Sequence, residues 1–329
     1  MTILFHRANK VGDNVVAIKA MYAIKCLYPS ARLIVATNAI GANLYAHLPF
    51  IDRLINLSND KDALSAINCI DYLILSHRTS ANLALATSTN AKKIITQVHL
   101  CSLFSPRFLN DYNFFTKVRP ESENLVRLVR LIDKRVFDSK TEAIDFSGAK
   151  LGFTQENSAF AEAFFASRGG VANSAKIIGI NFFGSSGVGY FSLEAWREMI
   201  EALAREFSNI DFIVLCPPNQ HLESFNAPNV KIFVNNDDLL NLIAITARFN
   251  ALISVDTGNV HIADNLQVPT LGIYTRKMLK RWRGGTYGGK FAPFIMPLHN
   301  GNYGKENDAL YKQKFLGFLQ TQIPTMIEY

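Results

Sequence analysis

Several features that define other classes of protein are missing from this sequence of 329 residues. Its four cysteines, at positions 26, 69, 101 and 216, are widely scattered, and no Cys-x-x-Cys or Cys/His pairing suggests a metal site. No apolar run reaches the ~18 residues that a membrane-spanning helix needs. The opening MTILFHRANKVGDN becomes polar too soon for a signal peptide, so we expect a cytoplasmic protein.

The composition is that of a folded, basic protein. Hydrophobic residues make up 49% of the chain and charged residues 19%, and no low-complexity tract interrupts it. The length predicts about two domains. The formal charge of +7 favours acidic partners, such as a nucleic acid, a nucleotide, a phosphorylated glycolipid or an anionic membrane face.

Apolar strand patterns alternate with helical patterns along the whole chain. Strands are predicted at 2–6, 32–36, 53–57, 71–75, 93–96, 176–182, 211–215, 231–234, 251–255 and 270–274, and the clearest helices at 15–28, 193–207 and 237–248. This alternation predicts two doubly wound, mostly parallel α/β sheets. The polar stretch 167–174 is the best linker, so we expect domains at 1–170 and 171–329.

One stretch, residues 251–275, stands out chemically. Asp256, Thr257 and Gly258 follow an apolar strand and precede a helical segment that carries His261. Thr257 is a fair N-cap and Gly258 lets a ligand approach the backbone, so the free N–H groups and positive dipole end of this helix favour an anion. In an open α/β sheet, ligands bind at such carboxyl ends of strands. The alternative is an ordinary corner in which Asp256 and His261 satisfy local backbone groups.

Four segments resemble, in order, those of one known family. They are Gly12-Asp13-Asn14 with the later YPSA turn, the strand and hydroxyl-rich loop at 178–186, DTGNVHIA at 256–263, and the small-residue loop GGTYG at 284–288. The third matches the pattern D-T-G-x-x-H-x-A. Together they resemble the ADP-heptose:lipopolysaccharide heptosyltransferases, glycosyltransferase family 9. The resemblance implies the GT-B fold, in which an acceptor-binding and a donor-binding Rossmann-like domain face a cleft.

The resemblance also implies an inverting, metal-independent transfer of a sugar from a nucleotide diphosphate donor. Such a reaction needs a carboxylate to take the acceptor hydroxyl's proton and donors for the charge on the leaving diphosphate. Asp13 resembles the family's base, although it can also be explained as a helix N-cap. The residues implied for donor binding are Ser185, Ser186, Glu223, Asp256, Thr257, Gly258 and His261. His261 taken alone is better explained as a satisfied core histidine.

The sequence departs from the family's pattern in one respect. The family carries a lysine after the hydroxyl pair, as a cation for the donor phosphates, whereas residues 187–193 here are GVGYFSL. Lys277, Lys280, Arg281 and Arg283 are candidate replacements, and solvated surface is the alternative explanation for them. The missing lysine leaves two alternatives to ADP-heptose transfer: another nucleotide sugar, or a non-catalytic homologue that binds sugar nucleotides or glycolipids.

The expected partners are a nucleotide sugar, the lipid A-core acceptor and an anionic inner-membrane surface. Basic residues between 107 and 135 form either the solvated face of an amphipathic helix or a platform for anionic lipid. They match no nucleic-acid motif, so nucleic acid is not expected as a partner. No cofactor or metal is expected either, because Asp237-Asp238 is explained as the start of a helix.

Overall fold

In the computed structural model, residues 1–60, 63–112, 118–167, 176–184, 187–236, 238–297 and 305–328 are described. The chain forms two compact units, Met1–Gly152 and Phe153–Tyr329. The predicted boundary after residue 170, and all of the predicted linker except Ser167, lie outside the described residues.

The first unit is built on a six-stranded sheet. Its strands are β1 (Thr2–His6), β2 (Arg32–Thr37), β3 (Arg53–Asn56), β4 (Tyr72–Leu75), β5 (Lys93–Gln97) and β6 (Phe108–Asp111). They lie in the order β3-β2-β1-β4-β5-β6, and every neighbouring pair is parallel. The strand order reverses between β1 and β4, so their carboxyl ends mark the ligand-binding crevice of such a sheet.

Among the described residues of this unit, five α-helices accompany the sheet. They are α1 (Val11–Leu27), α2 (Ala39–Tyr45), α3 (Ser80–Thr87), α4 (Glu121–Val129) and α5 (Lys134–Lys140). The predicted start of the first helix, residue 15, was wrong because the polar residues before it contribute tertiary contacts that no periodicity shows. Asn14, for example, is buried, and its backbone carbonyl accepts a hydrogen bond from the Tyr45 hydroxyl at 2.8 Å.

The amphipathic helix considered for the basic stretch 107–135 is in fact two helices, α4 and α5. Between α4 and α5, Asp133 becomes an N-cap whose carboxylate accepts from the amides of Arg135 (2.8 Å) and Val136 (3.1 Å). Arg130 at the break forms two hydrogen bonds of 2.6 Å with Asp138. An aspartate offers the backbone an alternative to a continuing helix, and the break follows from that.

The second unit repeats the first architecture. Its strands are β7 (Lys176–Asn181), a short hairpin of β8 (Phe183–Gly184) and β9 (Gly187–Val188), then β10 (Ile210–Cys216), β11 (Val230–Val234), β12 (Ala251–Val255), β13 (Thr270–Thr275) and β14 (Phe291–Met296). The main sheet has the order β11-β10-β7-β12-β13-β14 and is parallel throughout. Its order reverses between β7 and β12. The predicted α/β class with two doubly wound sheets is therefore confirmed.

The helices of this unit are α6 (Gln155–Ala166), α7 (Leu193–Glu206), α8 (Leu239–Thr246), α9 (Gly258–Asn265), α10 (Arg276–Trp282) and α11 (Lys305–Ile327). Asp238 caps α8 by accepting from the Leu240 amide at 2.9 Å. Helix α6 packs on α8, where the Asn157 amide donates to Asn241 Oδ1 at 2.8 Å. Among the described residues, no helix is both long and apolar enough to span a bilayer.

Candidate active site

A buried arginine organises the carboxyl end of the first sheet. Arg7 directly follows β1, and only 1% of its side chain is exposed. Its Nη2 lies 2.8 Å from Asp13 Oδ1, its Nε donates to the Asp13 carbonyl at 2.9 Å, and its Nη1 donates to the Ser76 carbonyl at 3.2 Å. A second carboxylate, that of Glu121 on α4, lies 3.9 Å from Nη1. One guanidinium thus joins β1, the residue after β4, and two helices.

Asp13 lies within the first turn of α1, so its interpretation as an N-cap was wrong. The N-cap position is occupied by Lys10, whose side chain makes no capping bond. An acidic residue at this end of a helix is favoured by the helix dipole. The Asp13 side chain is 25% exposed, and its hydrogen bond with Arg7 uses Oδ1. Oδ2 has no hydrogen-bond partner among the described residues.

His6 lies next to this cluster. Burial, followed by the charge of Arg7 and then that of His77, lowers the pKa of His6 to about 4. Its imidazole is therefore neutral near pH 7, and it adds no second positive charge beside Arg7. The sequence analysis did not identify His6 or Arg7 as site residues. The signal that could have found them is their position as polar side chains at the end of an apolar strand.

In the second unit, a buried amide joins the two strands at which the order reverses. The Asn181 side-chain nitrogen, at the end of β7, lies 2.9 Å from Thr257 Oγ1 and 3.1 Å from Ser254 Oγ. Thr257 is the N-cap residue of α9, as predicted, but its side chain makes no capping bond. Its hydroxyl accepts from Asn181 instead. Neither Asn181 nor this role of Thr257 was predicted.

Asp256 and His261, the two ionisable residues of the central motif, are both shifted towards their neutral forms. Burial raises the pKa of Asp256 to about 7, and its Oδ2 has no hydrogen-bond partner among the described residues. Burial lowers the pKa of His261 to about 4, and its ring packs edge-on against Trp282 with centroids 5.9 Å apart. Buried ionisable side chains whose pKa is strongly shifted are typical of functional sites.

Asp264, which directly follows the DTGNVHIA motif, holds the loop at 284–288 next to that motif. This buried carboxylate of α9 accepts from the Thr286 amide at 2.8 Å, the Thr286 hydroxyl at 2.6 Å and the Tyr287 amide at 3.2 Å. Gly285 and Gly288 have φ values of +73° and +92°, which favour glycine. The loop at 284–288 is therefore fixed beside the motif helix.

A cavity of about 170 Å³ lies at the carboxyl edge of the second sheet. Its lining residues are Asn181, Leu215, Cys216, Pro217, Pro218, Phe233, Asn235, Leu242 and Asn259. Most of the wall is apolar, and the side-chain amides of Asn181, Asn235 and Asn259 supply its polar groups. Asn235 Oδ1 is a buried acceptor with no partner in the described part of the chain. An apolar cavity with a few polar groups is typical of a small-molecule site.

Three predicted donor-binding residues, Ser185, Ser186 and Glu223, are not joined to the central motif by any described contact. Ser185 and Ser186 lie outside the described residues. Glu223 is exposed on the loop after β10, and its carbonyl accepts a hydrogen bond from Arg197 Nη2 at 3.0 Å. No described contact joins its carboxylate to the central motif.

The hairpin where the family lysine is missing is held by other residues. Trp196 Nε1 donates to the Gly189 carbonyl at 2.9 Å, and the Asn307 amide donates to the Tyr190 carbonyl at 2.7 Å. Of the candidate replacement cations, Lys277 and Lys280 are exposed on α10. The Arg281 guanidinium lies 5.2 Å from the Trp282 ring, which in turn contacts His261. Arg281 is thus linked to the motif through Trp282.

No group of three or more His, Cys, Asp or Glu side chains suited to a metal ion occurs among the described residues. Metal independence itself stays a prediction.

The Asp256→Asn change should alter the pH dependence of stability. The native carboxyl keeps its proton up to about pH 7, whereas the unfolded chain loses it near the ordinary pKa of 3.8. The native state therefore binds more protons across this interval, and the Asp256 contribution to stability falls as pH rises, by at most about 1.4 kcal/mol per pH unit. Relative to wild type, Asp256→Asn should become steadily more stable from about pH 4 to about pH 7.

Urea unfolding followed by tryptophan fluorescence measures this effect, because both tryptophans, Trp196 and Trp282, lie in the second unit. His261 acts in the opposite direction, since its native pKa of about 4 means that stability is lost as pH falls from 6.5. Subtracting the wild-type and variant curves removes that contribution. A difference curve that is flat between pH 4 and 7 would contradict the assigned carboxyl shift.

Residues 150–292 match the model of glycosyltransferase family 9 (heptosyltransferase). The matched region contains the DTGNVHIA motif and the predicted donor-binding residues, but not Asp13. No curated protein sequence matches the chain. Residues 150–292 are thus similar to glycosyltransferase family 9. The predicted class of enzyme and its resemblance to the heptosyltransferases are confirmed.

Solved structures similar to this chain have the same fold along nearly the whole length. The glycosyl transferase family 9 protein from Veillonella parvula DSM 2008 has a TM-score of 0.77 at 16% identity, covering 100% of this chain and 97% of that one. E. coli ADP-heptose lps heptosyltransferase II has a TM-score of 0.73 at 13% identity, covering 99% of each chain. E. coli heptosyltransferase WaaC, solved with ADP-2-deoxy-2-fluoro heptose, has a TM-score of 0.66 at 18% identity, covering 98% and 100%. These matches confirm the GT-B fold class.

Proposed function

We propose that the protein transfers heptose from ADP-heptose to the core of lipopolysaccharide or lipooligosaccharide, with inversion and without a metal. The observation that carries this proposal is the carboxyl edge of the second sheet, where α9 begins beside the cavity within the family 9 region. Helix N-termini bind phosphate through free N–H groups and the helix dipole. The donor diphosphate accordingly binds the first amides of α9, at Gly258 and Asn259.

The cavity is suited to the nucleobase of this donor. Its apolar wall, formed by side chains such as Leu215, Pro218 and Phe233, accommodates a flat ring. Asn235 Oδ1 is an acceptor for the exocyclic amine that adenine carries and uracil lacks. Asp256 Oδ2 is an acceptor for a hydroxyl of the transferred sugar, and His261 lies one helical turn beyond Gly258.

The first unit supplies the base. Asp13 takes the proton of the acceptor hydroxyl as that oxygen attacks the anomeric carbon, and the bond to the diphosphate breaks on the opposite side of the carbon. The buried Arg7 holds Oδ1 of the Asp13 carboxylate through a hydrogen bond of 2.8 Å, so that Oδ2 acts on the acceptor. The acceptor in this proposal is a lipid A-core glycolipid at the inner face of the inner membrane.

Calorimetric titration of the metal-free protein with ADP, UDP, GDP and CDP tests the donor assignment. We expect selective ADP binding that is lost in His261→Ala and Thr257→Ala. His47→Ala, which removes an exposed histidine of the first unit, is the matched control and should bind ADP as wild type does. Preference for another nucleotide would keep the transferase and replace the donor. Absence of binding to all four would favour a non-catalytic homologue.

A further inference from the structure

Three large apolar side chains project from a short turn of the first unit. This apolar turn, residues 99–104, follows β5 and contains a single 3-10 turn at Leu100–Ser102. Leu100 is 69% exposed, Leu103 is 47% exposed and Phe104 is 81% exposed. Isolated exposed apolar residues are ordinary on protein surfaces, but a cluster within five residues marks an interaction site.

The apolar turn is firmly anchored, so this exposure does not result from a lack of contacts. The Cys101 amide donates to His99 Nδ1 at 3.2 Å, and the hydroxyl of the fully buried Ser102 donates to the His99 carbonyl at 2.7 Å. Asn110, on the edge strand β6, donates from its side chain to the Ser102 carbonyl at 3.1 Å. The turn is thus fixed to the sheet, and the three apolar side chains are held outward.

The surroundings of the apolar turn are positively charged. Residues 72–110 contain two lysines, two arginines and two histidines but no aspartate or glutamate. Asp71 and Asp111 flank this range, and Asp71 pairs with Lys92 at 2.7 Å. Arg107 donates to the carbonyls of Thr89 (2.8 Å) and Ala91 (2.9 Å), and Lys93 donates to the Pro106 carbonyl at 3.0 Å. These partners are neutral, so the bonds do not cancel the charge of either cation, and Arg107 lies three residues after Phe104 in the chain.

We propose that the apolar turn docks the protein onto an anionic phospholipid bilayer. Leu100, Leu103 and Phe104 enter the boundary between headgroups and acyl chains, while Lys93 and Arg107 attract the acidic headgroups. Apolar side chains flanked by cations bind such interfaces through both contributions. The inference deepens the proposed function by identifying the surface that meets the membrane in which a glycolipid acceptor resides.

Co-sedimentation of the full chain with vesicles tests the proposal without any turnover. The protein should bind vesicles that contain phosphatidylglycerol, and added salt or pure phosphatidylcholine should weaken the binding. The double variant Leu103→Ser/Phe104→Ser should bind the anionic vesicles at least about tenfold more weakly, because each buried apolar side chain contributes strongly. Both side chains are largely exposed, so the thermal unfolding midpoint should not change.

A matched double variant, Met278→Ser/Leu310→Ser, removes exposed apolar side chains from the second unit. It should keep full vesicle binding. Wild-type binding by the Leu103/Phe104 variant, or binding that is indifferent to phosphatidylglycerol, would overturn the proposal. So would a Phe104→Trp variant whose emission shifts to the blue with detergent-dispersed acceptor glycolipid but not with anionic vesicles.

The nucleotide titration separates this proposal from the proposed function. The Leu103→Ser/Phe104→Ser variant should bind ADP as wild type does, because the substitutions are in the first unit and the donor residues in the second. Loss of vesicle binding with intact ADP binding supports the docking turn. A wild-type protein that binds anionic vesicles but no nucleotide would refute the donor assignment and leave the docking surface standing.

Discussion

Asp13→Asn should abolish sugar transfer while leaving ADP affinity unchanged. The amide keeps the hydrogen bond from Arg7 Nη2, which is 2.8 Å long in the wild type, but it cannot accept the acceptor's proton. Loss of a general base lowers kcat by about 10²- to 10⁴-fold. Single-turnover rates with saturating donor measure the chemical step, and calorimetry with ADP measures donor binding.

Asp138→Asn is the matched control, because it also removes an aspartate that is paired with an arginine, here Arg130. This pair is on the surface of the same unit, so transfer should continue at the wild-type rate. Turnover that survives Asp13→Asn, or that falls equally in both variants, would contradict the assignment of the base.

Arg7→Met should lower the free energy of unfolding of the first unit by about 3–5 kcal/mol, as expected when one partner of a buried ion pair is removed. Methionine fills a similar volume, so the loss is chiefly electrostatic. The substitution removes the cation between the carboxylates of Asp13 and Glu121 and the donor to the Ser76 carbonyl. Hydrogen exchange of the β1 and α1 amides is the appropriate measurement, since both tryptophans lie in the second unit.

Arg130→Met is the control for this second prediction. It removes an arginine from the exposed pair with Asp138, for which we expect a loss of at most about 1 kcal/mol. Combining Arg7→Met with Glu121→Gln should restore part of the stability, because a neutral amide no longer needs the cation. Equal losses in Arg7→Met and Arg130→Met would show that the buried cluster is not held together by charge.

Strand periodicity predicted much of the fold because strands buried on both faces have continuous apolar runs. The ten predicted strands end within one residue of the observed strands. Four strands were missed. β8 and β9 are two residues long, whereas β6 and β14 are edge strands, and Asn110 in the first and Pro293 in the second of these interrupt their apolar patterns. Edge strands tolerate such residues, so local pattern could not identify them.

The candidate site was only partly predictable from the sequence. Its central motif stands out because Asp256, Thr257 and Gly258 are adjacent in the chain. Arg7, by contrast, meets Ser76 and Glu121 across more than sixty positions. Such contacts depend on which strand ends the fold brings together, and periodicity carries no information about them. The pKa shifts of Asp256 and His261 likewise arise from burial by distant segments.

The carboxylate of Asp264 has a consequence for how this part of the chain can change. A segment that includes α10 runs from the end of β13 to the loop at 284–288. The three hydrogen bonds that Asp264 accepts from Thr286 and Tyr287 fix the loop end of this segment. The near end is secured by β13 itself, so the length and charge of the intervening segment can vary at little entropic cost. The charges of the basic helix α10 can therefore be changed while the sheet and the loop at 284–288 stay fixed.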